Sequence, residues 1–239
     1  MRIDVHFTPG GLTAGELTGR GVIVLDVLRA TTTVITAIAN GARAVIPAAS
    51  SEEAVRLASN LERDGVLLAG ERRSLKIEGF ALGNSPLEMT PEVVGGKTIV
   101  LATTNGTPAL VAAQGGDPVL VGAVANFTAL TRRAREVLLE RGELVIICAG
   151  REREFALEDA YTAGRIIKAL KRGRGGMELN DAATATLAIV RSFESWADAF
   201  AGTAAARQLV DAQLDDDIAF AAKQDRFDLV PQYAERRIT

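Results

Sequence analysis

The sequence predicts an α/β fold: a mostly parallel sheet flanked by helices, with a more helical carboxyl-terminal portion. Three observations predict it. Short β-branched runs recur between residues 3 and 148. Most of them are apolar throughout instead of alternating, as strands covered on both faces are. Between them lie polar turns and longer Ala/Leu-rich stretches of helical periodicity, and alternation of that kind implies parallel strands joined by right-handed crossovers.

The strand runs are Ile3–His6, Val22–Val27, Ala44–Pro47, Val66–Ala69, Thr98–Thr103, Val119–Val121 and Leu144–Cys148. Helical patterns cover Ser51–Arg63, where Ser51 can cap and Leu57 and Leu61 repeat at helical spacing, then Thr128–Arg141 and Leu157–Arg172. After Gly173–Gly176, read as a hinge or turn, the strand signal nearly disappears. Asn180–Phe200 and Ala204–Lys223 read as helices, and Phe227–Tyr233 as a closing strand. The chain thus divides into residues 1–172, an α/β portion with most of the unusual loops, and residues 173–239, mainly helical and packed intimately against it.

Composition narrows the chemistry. Hydrophobic residues make up 48% and charged residues 24% of 239 residues, the composition of a globular protein with a sizeable core. A net charge of −3 argues against a nucleic-acid partner, since the Lys171–Arg174 cluster reads as a solvated helix end. Cys148 is the one cysteine, so neither an intrachain disulfide nor a cysteine zinc cluster is available. His6 is the one histidine, which leaves Ser85 without a spare base and disfavours a serine hydrolase. Met1–His6 reads as a strand, and no apolar run approaches the ~20 residues of a membrane span. The expectation is a cytoplasmic protein with no membrane partner.

Unusual polar sequence gathers where the predicted strands end, and ligands of open parallel sheets bind at those carboxyl ends. Four strands lead to Asp26–Thr33, Thr103–Pro108, Gly122–Asn126 and Cys148–Gly150, read here as one shared edge. The carboxylate of Asp26 suits either a magnesium ion or attack on phosphorus. Arg29 offers a planar fork of donors for an oxyanion. Thr31 and Thr32 would sit at a helix start, where unpaired N–H groups favour an anion; their plainer role is capping. In Thr103-Thr104-Asn105-Gly106-Thr107-Pro108, Asn-Gly permits positive φ, Thr107 can cap, and the backbone can form an anion-cradling nest.

Gly70–Pro86 reads as a long irregular loop of the kind that forms lids and binding sites. Glu71 and Arg72 at its root form either a buried pair or part of the site, and Asn84 and Ser85 lie at its end. Glu158 and Asp159 open a helix and are candidate metal ligands. At most one of them is expected to point inward, because neighbours on a helix diverge. Acids at a helix start also occur for electrostatic reasons alone. Cys148 is most simply a small buried residue, and His6 a satisfied structural histidine.

These segments also carry a resemblance. Asp26-Val27-Leu28-Arg29-Ala30-Thr31-Thr32, Gly70-Glu71-Arg72, Gly79-Phe80…Gly83-Asn84-Ser85-Pro86, Thr103-Thr104-Asn105-Gly106-Thr107 and Cys148-Ala149-Gly150 are similar, as an ordered set, to the 2-phosphosulfolactate phosphatase family. The similarity continues through Phe155–Asp159, Asn180–Ala183, Asp216-Asp217-Ile218 and Val230-Pro231, and so spans essentially the whole chain. It implies an α/β fold distinct from the familiar phosphatase superfamilies. It also implies a Mg²⁺-dependent phosphoric monoester hydrolase that converts 2-phosphosulfolactate to 3-sulfolactate and phosphate, a step of coenzyme M biosynthesis in methanogenic archaea.

Under that resemblance the expected catalytic residues are Asp26, Arg29, Glu71 and Asn105. The expected substrate-binding residues are Thr31, Thr32, Arg72, Asn84, Ser85, Thr103, Thr104, Gly106, Thr107 and Asn126. Magnesium is expected on Asp26, Glu158 and Asp159. The partner is a small anionic phosphate ester, and a homo-oligomer is compatible with the sequence. Two rivals stay open: a phosphosugar isomerase or phosphoryl-transfer enzyme on a similar edge, and a non-catalytic binder of sulfolactate or phosphate.

Overall fold

The structure, a computed structural model, describes residues 1–61, 65–173 and 176–239. Its strands are β1 (Arg2–His6), β2 (Gly21–Leu25), β3 (Ala44–Ala48), β4 (Val66–Arg72), β5 (Leu75–Lys76), β6 (Thr98–Ala102), β7 (Val119–Gly122), β8 (Glu143–Cys148), β9 (Glu178–Leu179), β10 (Tyr233–Ala234) and β11 (Arg237–Ile238). The α/β prediction holds, but the strands form two sheets instead of one. The first has the order β7-β2-β8-β1-β9 and is parallel throughout. The second has the order β10-β11-β3-β6-β4-β5, with a parallel centre, β3-β6-β4, and antiparallel additions at both edges. The strand Thr98–Ala102 therefore ends on a different sheet from Gly21–Leu25, and there is no single shared edge.

Strand periodicity explains how two sheets make one body. Val22 and Val24 of β2, with Val145 and Ile147 of β8, face the second sheet, and they share a core with Val45, Ile99 and Leu101. Ile23, Leu25, Leu144, Ile146 and Cys148 point the other way, under helices Phe127–Arg141 and Leu157–Lys171. Helices Ala30–Ala39 and Gly106–Ala112 lie between the sheets and put Val34, Ile35, Ala109 and Leu110 into the common core. A helix enclosed on all sides must be apolar around its circumference, and residues 30–37 are all buried. Helix Ser51–Ser59 covers the outer face of the second sheet, and Trp196, Phe200, Tyr161 and Val27 form a separate aromatic cluster.

Several local expectations need correction. Ser50, not Ser51, caps helix Ser51–Ser59, its Oγ accepting from Glu53 N at 3.1 Å; Arg63 lies outside the described residues. Gly70–Pro86 is not wholly irregular: β4 runs through Arg72 and turns back into β5. Arg73 (φ 49°) and Ser74 (φ 68°) form that two-residue turn, the left-handed geometry that matches the twist of a hairpin. Asn180–Phe200 is two helices, Asp181–Ile189 and Trp196–Ala201, separated by a 3₁₀ turn. Ala204–Lys223 likewise breaks into Ala204–Asp211 and Asp215–Ala221 around Gln213 (φ 59°). The closing strand begins at Tyr233, later than expected, because Gln232 makes only an isolated bridge to Leu120. Of the predicted hinge and basic cluster, Arg174 and Gly175 lie outside the described residues, while Gly173 and Gly176 have φ of 75° and 71°.

Candidate active site

The carboxyl ends of both sheets open onto one small cleft of about 50 Å³, the space of a few water molecules. Asp26, Leu28 and Arg29 line it from the loop after β2, and Glu71, Arg73 and Ser74 from the β4–β5 hairpin. Asn84, Thr104, Asn105 and Gly150–Glu152 come from loops, Glu158 and Asp159 from a helix start, and Gln208 from the carboxyl-terminal helices. Each side chain is placed by an identifiable local device.

Asp26 follows β2 and is 7% exposed. Its Oδ1 accepts from the Ala30 amide at 3.2 Å, at the start of the central helix. Burial pushes its pKa up to about 7; the neighbouring carboxylates Glu71 and Glu158 reinforce that rise, against the Ala30 hydrogen bond and Arg29. The peptide bond between Leu28 and Arg29 is cis. Glu71, at the end of β4, accepts from Thr104 N at 2.7 Å and from Ser74 N at 2.8 Å, which fastens the second sheet's loops together. Arg72, the next residue on the strand, points to the opposite face and bonds Ser51 Oγ at 3.0 Å. The two do not form a buried pair.

Both Glu158 and Asp159 are buried and line the cleft, so the expectation that only one would face inward is overturned. Neighbouring side chains in a first turn diverge by roughly 100°. Here the space on both sides is enclosed, by the strand-end loops and by the helix starting at Ala204. Asp159 accepts from Val27 N at 2.9 Å and Gly150 N at 3.2 Å, joining the loops that follow β2 and β8. Burial pushes its pKa well above the usual carboxylate range, helped by Asp26 and Glu158, and burial also raises that of Glu158.

The threonines have structural employment. Thr31 and Thr32 are fully buried, and their hydroxyls donate to Asp26 O at 2.9 Å and Val27 O at 2.8 Å. The amides of Ala30, Thr31 and Thr33 are also spent inside the chain, so these three are not available to an anion. Thr107 donates its amide to Thr103 Oγ1 at 3.1 Å and its hydroxyl to Thr103 O at 2.9 Å; Asn105, not Thr107, occupies the cap position. Asn105 Oδ1 instead accepts from Glu152 N at 3.0 Å, tying the two sheets' loops across the cleft. Asn126 is buried beside Ala123, Val121 O and Leu229 O and does not reach the cleft. Thr103 and Arg72 line an adjoining groove of about 620 Å³ with Ser50, Ser51 and Ile77, and it meets the cleft at Glu71, Arg73, Thr104 and Glu152.

Residues missed by sequence reasoning include Arg73, Ser74, Arg151, Glu152 and Gln208 in the lining, and Asp217 behind it. The glycine turn at Gly150 was a visible signal for Arg151 and Glu152. Arg73 and Ser74 lie inside the Gly70–Pro86 stretch read as a binding loop, and Asp217 inside the Asp216-Asp217-Ile218 motif, while Gln208 arrives from a distant helix that nothing local marks.

The donor chemistry suits a hard divalent cation. Asp26, Glu71, Glu158 and Asp159 crowd carboxylates into a small buried space, and Arg29 is itself paired with Asp217. Asn84 Oδ1 is buried with no hydrogen-bond partner, an unused oxygen of the kind such a cation or a substrate donor would take. Among the described residues no group of three or more His, Cys, Asp or Glu side chains is gathered closely enough to cage a metal. Magnesium needs no such cage, since it keeps several waters and binds one or two carboxylates together with substrate phosphate.

Residues 6–236 match the family model described as 2-phosphosulpholactate phosphatase. A protein of Caldanaerobacter subterraneus subsp. tengcongensis, named probable 2-phosphosulfolactate phosphatase, is 40% identical over 97% of this chain and 95% of its own length. Proteins of the same name from Thermotoga maritima and Clostridium acetobutylicum are 38% and 33% identical, over 89% and 100% of this chain and 88% and 100% of their own lengths. With the match running through both sheets and the carboxyl-terminal helices, the chain belongs to the 2-phosphosulpholactate phosphatase family.

Proposed function

We propose that this protein is a Mg²⁺-dependent phosphoric monoester hydrolase that releases phosphate from 2-phosphosulfolactate or a closely related 2-phospho-carboxylate. The observation that carries the reading is the buried carboxylate of Asp26, which with Arg29 lines a cleft with room for little more than a phosphate group. Hydrolysis adds hydroxyl to phosphorus and a proton to the C2 oxygen of the leaving acid.

In this reading Arg29, which keeps three N–H groups beyond the two it spends on Asp217 and Ser74, binds the phosphate oxygens. Asn105 and Glu71 act beside it, holding the loops that shape the cleft. Asp26 acts either as the attacking nucleophile or as a ligand of the cation, with Glu158 and Asp159 the neighbouring ligand candidates. Bound magnesium would offset phosphate charge in a site otherwise lined with carboxylates. The adjoining groove takes the carboxylate and sulfonate, with Arg72 and Arg73 at its rim.

An anionic ester as partner is consistent with the family, and the acidic cleft with the absence of nucleic acid from the reading. A cytoplasmic location belongs to the same proposal, supported by a lone buried cysteine that allows no intrachain disulfide. Among the described residues no helix is long and apolar enough to cross a membrane.

The test is a phosphate-release screen over 2-phospho-carboxylates with Mg²⁺ and with EDTA. Stoichiometric free phosphate from a single ester, lost in EDTA, is the expected result and separates hydrolysis from isomerisation, transfer and mere binding. Release from no member of the series overturns the phosphatase; undiminished release in EDTA overturns the metal.

A further inference from the structure

Asp217 sits on the short Asp215–Ala221 helix, far from the other site residues in sequence, and is 1% exposed. Its Oδ2 accepts from Arg29 Nη1 at 2.6 Å and its Oδ1 from Ser85 Oγ at 2.6 Å. Arg29 Nη2 in turn donates to Ser74 O at 2.9 Å, and Ser74 N donates to Glu71 Oε2 at 2.8 Å. One carboxylate thus ties together the loop after β2, the β4–β5 turn, the segment carrying Asn84 and the carboxyl-terminal helices. It does not line the cleft itself.

A buried ion pair is poor value as a source of stability, because desolvating both charges offsets most of their attraction. Its benefit is geometric. The guanidinium is planar, so two hydrogen bonds in its plane fix the direction of its remaining donors. We propose that Asp217 is a positioning residue: it holds Arg29 so that its unspent N–H groups face the phosphate, and through Ser85 it sets the depth of Asn84 in the cleft. The proposal rests on the phosphatase reading for its catalytic consequence, but not for its effect on anion binding.

Asp217→Asn keeps the shape and removes the charge that orients the fork. Two measurements are made on the folded full-length variant: kcat and KM for phosphate release, and the Kd of inorganic phosphate by calorimetry with Mg²⁺ present. Both KM and phosphate Kd are expected to rise about tenfold, the loss of one charge-assisted hydrogen bond, with a smaller change in kcat. A residue that merely stabilises the fold lowers the active fraction, and so apparent kcat, while KM and Kd stay put. That result would overturn the proposal.

A double variant sharpens the outcome. Arg29→Lys with Asp217→Asn is expected to bind phosphate no worse than Arg29→Lys alone, since the object being positioned is already gone. Fully additive losses contradict the assignment. Should Asp217→Asn not fold, Ser85→Ala replaces it, with a rise in Kd of about threefold expected and an unchanged Kd counting against the role. If the wild type releases no phosphate from any ester, the phosphatase reading fails, and the Kd comparison still decides on Asp217.

Discussion

Gly106 stands so close to the Asp26 carboxylate that a Cβ built on it falls 2.6 Å from Oδ2 and 2.4 Å from the Ala30 methyl group. The absent side chain lets the helix of one sheet's loop reach the catalytic candidate of the other. Gly106→Ala must therefore push apart the Asp26 loop and the Gly106–Ala112 helix. Overpacking of that kind costs about 1–3 kcal/mol, so thermal melting should fall measurably and kcat/KM by about 100-fold. A variant with wild-type kinetics would remove Gly106 from the account.

Asp26→Asn should abolish phosphate release, with a loss of about 10³-fold or more, whether the carboxylate attacks or holds the cation. The same change should stabilise the metal-free fold at pH 8, since it relieves a desolvated charge, and should be nearly neutral at pH 4. Melting temperatures of both proteins at the two pH values check the second claim, and single-time-point phosphate assays the first.

The metal-free protein should lose stability as pH rises from about 4 toward 7. The folded pKa of Asp26 is about 7, above the ordinary aspartate value of 3.8, so between those limits the folded state binds more protons than the unfolded one. Stability falls with pH under that condition, by on the order of 4 kcal/mol for this one group. Glu158 and Asp159, also shifted upward, act in the same direction. Magnesium should reverse the trend, raising the melting temperature strongly at pH 8 and little at pH 5. Denaturant titrations across that range, with and without Mg²⁺, supply the test.

Asn84→Ala removes an oxygen that has no partner in the free protein, so its cost in stability should stay below about 1 kcal/mol. Activity should respond more strongly, with KM for the ester or the apparent Mg²⁺ constant rising about tenfold. A large loss of stability with unchanged kinetics would mark Asn84 as structural.

Arg72→Ala should discriminate between substrates. Arg72 lines the groove and not the cleft, so KM should rise more for 2-phosphosulfolactate, which brings a sulfonate as well as a carboxylate into the groove, than for 2-phosphoglycolate, which brings the carboxylate alone. Equal effects on both esters would place the sulfonate elsewhere.

The α/β class was legible because buried parallel strands advertise themselves: Val22–Leu25 and Leu144–Cys148 are apolar at every position. The division into two sheets was not, since β2 and β6 carry the same kind of run and pairing is decided by register across distant segments. That Asp26, Arg29, Glu71 and Asn105 would come together was legible from their position after strands, and all four line the cleft. The threonine motif was visible too, but its hydroxyls turned out to close the backbone of a helix enclosed between sheets.

By itself, then, the sequence determined the class of fold, the family, and where unusual polar sequence gathers at strand ends, because apolar runs, turns and ordered motifs are local properties. Only the tertiary structure decided that both Glu158 and Asp159 face inward, that Arg72 turns away from Glu71, and that Asp217 grips Arg29. Those outcomes depend on what encloses each side chain: a helix more than 180 residues away, a neighbouring strand's face, a second sheet. Burial and hydrogen bonding are properties of such surroundings, and no window of sequence contains them.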